Sequence, residues 1–173
     1  MQKKEKIKQI TTTAMMIAIS VVIGYFCKTF LNFGFGLYRI TFENLPIIMT
    51  GIIFGPIAGG IVGLASDMIS YFLSPQTYPP NLIVTLGATM VGVVSGIVSK
   101  YVVKKKGNLQ IIASGSLAHL IGSMIIKPIG LFQFYQWLTL MRIPLYLIIA
   151  PIEIAIICLL LNRKSFAKIV GYR

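Results

Sequence analysis

Acidic residues are nearly missing from this chain. Only 4 of its 173 residues are Asp or Glu, against 16 Lys and Arg, and there is a single histidine and a single tryptophan. The two cysteines, Cys27 and Cys158, fall near opposite ends of the expected membrane span, and neither has a metal-ligating neighbour in the sequence. That spacing excludes a disulfide between them and leaves packing as their role, with no metal site expected. Several catalytic signatures are also absent. Without a GxxxxGK[ST] phosphate loop the chain cannot hydrolyse ATP by that route, and it has no HExxH, GxSxG or CxxC. Ser70, His119 and Asp67 would supply the groups of a hydrolase triad, but their spacing matches no known arrangement. The expectation is a protein that is not an enzyme and carries no cofactor of its own.

Charge of any sign is scarce: 12% of residues are charged and 56% are hydrophobic. A soluble domain carries about twice that charged fraction. The basic residues are grouped. Lys3, Lys4, Lys6 and Lys8 form one cluster, Lys100, Lys104, Lys105 and Lys106 a second, and Arg163, Lys164, Lys168 and Arg173 a third. Long apolar stretches separate them. This is the positive-inside pattern of a multi-pass membrane protein, and it places both termini and the middle cluster in the cytoplasm. The net charge of +12 does not indicate nucleic acid, because it sits at helix ends rather than on a polar face interleaved with aromatics. Anionic membrane lipid is the expected partner of the basic rim.

The chain therefore reads as an all-α integral membrane protein in one transmembrane domain, residues 1–173. Six transmembrane helices are expected: Ile10–Cys27, Leu45–Phe54, Ile57–Leu73, Pro80–Val103, Leu109–Gly130 and Thr139–Leu161. The run from Ile10 to Phe26 follows lysines, as in a signal peptide, but it is too long for a signal core and has no small-x-small exit, so it reads as a retained helix. Leu45–Leu73 would be about 43 Å long as one helix, well beyond a hydrocarbon core of ~30 Å. Gly55-Pro56 interrupts it, and the even number of crossings required between basic clusters also favours two helices. The first of these is too short to span unaided and must be buried against neighbours or meet a thinned bilayer. Leu131–Leu138 reads as an outer loop with interfacial Phe134, Tyr135 and Trp137. Small residues recur every four positions, at Ala14 and Ala18, at Gly51, Gly55, Gly59 and Gly63, at Ala88, Gly92 and Gly96, and at Ser114, Ala118 and Gly122. Such rows allow close helix approach in lipid, and a row facing outward would mark a partner.

Ionisable residues at membrane depth usually face a cavity or a partner. Lys28, Arg39, Lys127 and Arg142 lie outside the three clusters and map to the outer half, against the positive-inside bias. They suit either an outward-open pocket for an anionic ligand or snorkelling to headgroups. Arg142 sits one turn into the last helix, and its planar fork matches a carboxylate. Asp67 lies about two turns below the outer end of its helix, with Tyr71 one turn above on the same face. Asp67 would bridge to Arg142 or Lys127, or accept a pair of N–H bonds from a ligand. Tyr71, Tyr78, Phe134, Tyr135 and Trp137 would wall a flat heterocycle or anchor at the interface. His119, in mid-helix, would bond a hydroxyl or carbonyl nearby or touch the ligand. Glu153, two residues after Pro151, would pair with a basic residue or serve a partner interface.

Tyr38-Arg39-Ile40-Thr41-Phe42-Glu43-Asn44-Leu45-Pro46, then Gly51-Ile52-Ile53-Phe54-Gly55-Pro56, Gly59, Gly63, Asp67 and Tyr78-Pro79-Pro80, resemble the substrate-binding S components of energy-coupling factor vitamin transporters, most closely the folate group. Arg142 followed by Pro151-Ile152-Glu153 is similar to that group's last helix. The resemblance implies six helices and tight capture of a vitamin from outside. It also implies assembly with one membrane scaffold protein and two ATPases, which use the ATP and drive the loaded subunit to topple. Ala14 and Ala18 match the family's AxxxA contact with the scaffold. Folate suits the residue types: its glutamate carboxylates fit Arg39, Arg142 or Lys127, its pterin N–H pair fits Asp67, and its rings fit the aromatics. An S component for another vitamin or modified nucleobase, or a self-sufficient small secondary transporter, are the alternatives. The small size and lack of evident inverted repeats count against the last.

Overall fold

The computed structural model describes residues 2–33, 38–73, 81–136, 139 and 142–172. Among them the chain forms eight α-helices and one short strand pair. The first helix, α1 (Gln2–Phe30), has 29 residues with no proline. It starts two turns before the expected boundary, so its lysine-bearing turns extend beyond the apolar stretch. It buries a narrow stripe, Met16, Ser20, Gly24 and Cys27–Lys28, and leaves Ile10, Met15, Val22 and Phe26 exposed, as a lipid-facing helix should. Strands β1 (Asn32–Phe33) and β2 (Tyr38–Arg39) pair antiparallel, with Asn32 opposite Arg39. They occupy the segment expected to be a plain loop.

The break at Gly55-Pro56 is real. Helix α2 (Asn44–Phe54) has 11 residues, and every residue from Asn44 to Ile52 is buried. At about 16 Å it is too short to span alone, and it survives because neighbours enclose it. Gly55 adopts φ 98 and ψ −176, a conformation closed to side chains. Pro56 then opens α3 (Pro56–Leu73), where its missing N–H costs no helical bond.

Helix α4 (Leu82–Ile97) is capped by Asn81, whose side chain accepts from the Ile83 N–H at 2.9 Å, and it ends in a π-helical turn, Val98–Val102. Along Gly51, Gly59, Gly63 and Gly92, helices α2, α3 and α4 meet backbone to backbone. A Cβ on Gly92 would lie 2.0 Å from the Gly59 carbonyl oxygen, and one on Gly63 would lie 2.3 Å from that of Ala88. The small-residue rows of α2, α3 and α4 therefore pack inside the chain. Ala14 and Ala18 do not: both are exposed on α1.

The next helix differs most from expectation. α5 (Asn108–Ala118) continues through a π-helical stretch, His119–Ile126, into α6 (Lys127–Tyr135) without interruption. The expected end at Gly130 and loop from Leu131 are thus corrected, since helical bonding runs on to Tyr135. Helix α7 (Arg142–Asn162) contains Pro151, and an unforeseen short helix, α8 (Lys164–Val170), folds back under the bundle. Its residues Ala167 and Val170, and Tyr172 just beyond it, are buried. The Tyr172 hydroxyl donates to Gln110 Oε1 at 2.8 Å, Gln110 donates to the Ser99 carbonyl at 2.9 Å, and the Ser99 hydroxyl donates to the Ile52 carbonyl at 3.0 Å. This buried chain of bonds ties the C-terminal segment to α2.

Five described helices are long and apolar enough to cross a membrane, and Asn44–Phe54 is the shorter apolar one. The three basic clusters converge on one end of the bundle. Lys8 Nζ donates to the Lys168 carbonyl at 3.2 Å, Lys106 donates to the Tyr172 carbonyl, and the Lys100 side chain lies over Gly55.

Candidate ligand-binding site

Some 16 residues along α1 from Lys8, or about 24 Å, the bundle holds a cluster of buried polar groups. Lys127, at the junction of the π-helical stretch and α6, is 3% exposed. Its ammonium lies 3.1 Å from Asn44 Oδ1 and 3.6 Å from Glu43 Oε1. Its stem crosses Gly87 of α4, where a Cβ would fall 2.6 Å from the Lys127 Cγ. Asn44 donates to the Ser123 hydroxyl at 3.4 Å, and the Ser20 hydroxyl donates to the Glu43 carbonyl at 2.7 Å. Gly24 leaves room for the Glu43 carboxylate: a Cβ there would sit 3.0 Å from Glu43 Oε2 and 3.1 Å from Ser70 Oγ. The first turn of α2 is thus held by α1, α3 and the Ser123–Lys127 turn together. An ammonium at such depth is stable only with a carboxylate and an amide oxygen facing it. Lys127 is therefore packed inward rather than snorkelling.

Asp67 is half-buried on α3 and accepts from the Thr85 hydroxyl at 2.8 Å. Tyr71 follows one turn later, its ring edge-on to Phe72 at 5.7 Å and 84°. The hydroxyls of Thr41 and Thr139 are buried without a hydrogen-bond partner among the described residues.

Among the described residues His119 takes neither a hydroxyl nor a carbonyl. Its Nε2 lies 2.8 Å from Glu153 Oε2, with the two side chains 1% and 0% exposed. The atoms are close but not aligned as a hydrogen bond, and the two polar groups face each other between α7 and the π-helical stretch. This placement makes Glu153 a core residue rather than part of an outer face. It also places His119 in the packing between two helices.

Arg142 opens α7, and Arg39 lies in β2 opposite Asn32. Tyr78 and Trp137 lie outside the described residues. Sequence reasoning missed Glu43, Asn44 and Ser123. The first two directly precede Leu45-Pro46, and Ser123 stands four residues before Lys127. Reading polar residues at helical spacing from that buried lysine would have found it.

The family model for the ECF transporter substrate-specific component matches residues 8–171. The chain belongs to this family. The family is one of transport components, not of enzymes. A curated relative, the folate transporter FolT of Clostridium novyi (strain NT), is 32% identical over 94 residues, which are 54% of this chain and 51% of the relative. The match therefore spans about half the length of that relative. A solved structure described as FolT bound with folic acid superposes with a TM-score of 0.67 at 25% identity, covering 91% of this chain and 94% of that one. The likeness to that solved structure runs almost end to end along this S component.

Proposed function

We propose that this S component captures folate from outside the cell and delivers it inward with a separate scaffold protein and two ATPases. The carrying observation is the likeness, over 91% of the chain, to a FolT solved with folic acid. In this reading Arg142 and Arg39 take the glutamate carboxylates, and Asp67 accepts the pterin N–H pair. Tyr71, Tyr78 and Trp137 stack on the rings. Lys127 shapes the floor from within its pair with Glu43. Both termini face the cytoplasm, and convergence of three basic clusters at one end of the bundle supports that orientation. The exposed Ala14 and Ala18 offer the face that meets the scaffold.

Equilibrium binding by the purified subunit tests the reading. Folate should bind without ATP or other subunits and should be displaced by other folates. Preference for a different vitamin or a modified nucleobase over folate would replace the substrate. Cysteine labelling from outside tests the orientation: engineered cysteines at Gly34, Gln76 and Gln133 should react, and one at Lys105 should not.

A further inference from the structure

The basic end of the bundle carries a second concave feature. A cleft of about 510 Å³ opens between the start of α1, the end of α2 and the end of α8. Glu5, Lys6, Lys8 and Gln9 form one wall, so one carboxylate stands beside the two ammonium groups; Phe54 and Val170 give the cleft apolar surface, and Gly171 stands at its lip. Gly171 adopts φ 84, a left-handed helix end that favours glycine, so no side chain covers the mouth.

The charge around this cleft is unbalanced. Glu5 is the chain's single carboxylate in the lysine-bearing turns; Glu43, Asp67 and Glu153 belong to the buried and half-buried groups described above. Against Glu5 stand the three converging clusters of lysine and arginine. Lys8 and Lys106 reach carbonyls of the α8 segment, which offset some of the repulsion but bring no net charge. The excess of positive charge attracts anions to this surface. The position fits a membrane surface, because the apolar stretch of α1 begins at Ile10, directly after the residues that line the cleft.

We propose that this cleft binds the phosphodiester of an anionic phospholipid, with the phosphate between Lys6 and Lys8 and the start of the acyl region on Phe54 and Val170. The shared chemistry is phosphate recognition, and the apolar surface selects the lipid over free phosphate. The site is separate from the Lys127 cluster and does not depend on which vitamin is bound.

The experiment uses the full chain in phosphatidylcholine nanodiscs containing increasing phosphatidylglycerol, with bound lipid read by native mass spectrometry. The protein should retain phosphatidylglycerol. Lys6→Gln with Lys8→Gln should weaken retention by roughly 10- to 30-fold, from about 1 kcal/mol per lysine at the surface. Lys104→Gln with Lys105→Gln removes the same charge outside the cleft and should leave retention unchanged. Equal loss in both pairs would mean a diffuse ion atmosphere and overturn the site. Displacement of the lipid by millimolar inorganic phosphate would make it a free-phosphate site and overturn the lipid assignment. Retained lipid with failed assembly in the Lys6/Lys8 pair would assign the cleft to a protein partner instead. Folate binding on the same preparations verifies folding and keeps this result separate from the vitamin assignment.

Discussion

His119 Nε2 and Glu153 Oε2 approach to 2.8 Å in the core of the bundle, each side chain no more than 1% exposed. Neither group has an aligned hydrogen bond among the described residues, and each is the close polar neighbour of the other. His119→Ala or Glu153→Ala should cost about 3–5 kcal/mol, because each strands a buried polar partner. The double variant His119→Leu with Glu153→Met should cost less than the sum of the two. Thermal unfolding in detergent over a full double-mutant cycle measures this coupling. Additive losses would show that the two groups do not interact.

The seam between α3 and α4 predicts steep sensitivity to one methyl group. Gly92→Ala places a Cβ 2.0 Å from the Gly59 carbonyl oxygen, and a backbone atom cannot rotate away. Destabilisation of about 3 kcal/mol or more is expected from overpacking. An unchanged melting temperature would mean that the helices stand further apart than described here.

Ligand binding should divide between two anchors. Arg142→Ala should weaken folate binding by about 2–5 kcal/mol if the guanidinium meets a desolvated carboxylate. Asp67→Asn should harm recognition of the pterin more than of the tail. Competition by pterin alone, measured against wild type and Asp67→Asn, reads out this difference. Equal competition in both would remove Asp67 from the pterin site.

Assembly and binding should separate at α1. Ala14 and Ala18 are exposed and one turn apart, so Ala14→Trp or Ala18→Trp meets no obstacle within the chain. Folate affinity should persist while co-purification with the scaffold and ATPases, and uptake, are lost. Loss of folate affinity in parallel would instead tie this face to the chain's own fold.

The apolar segments and the Gly55-Pro56 break were legible in the sequence because hydropathy and backbone chemistry act locally. The partners of the buried charges were not. A π-helical stretch leaves no mark on composition, yet it carries the helix from Asn108 to Tyr135 without a break. That continuity moves Lys127 from an expected helix end to a buried mid-helix position facing Asn44. His119 and Glu153 meet across helices 34 residues apart in the chain, and helical spacing alone does not orient one helix against another. Helix α8 escaped notice because seven residues holding two lysines give too short a pattern to distinguish from a polar tail.

The glycine seam has a mechanical consequence. Where side chains interlock, helices can slide by changing rotamers. Where Gly59 meets Gly92 and Gly63 meets Ala88, there are no rotamers to change. Helices α2, α3 and α4 must move together or separate, so they form a stiff keel. Glu43 and Asn44 adjoin its first turn and Asp67 and Thr85 stand on its flank, so these polar groups keep their mutual geometry however the protein tilts.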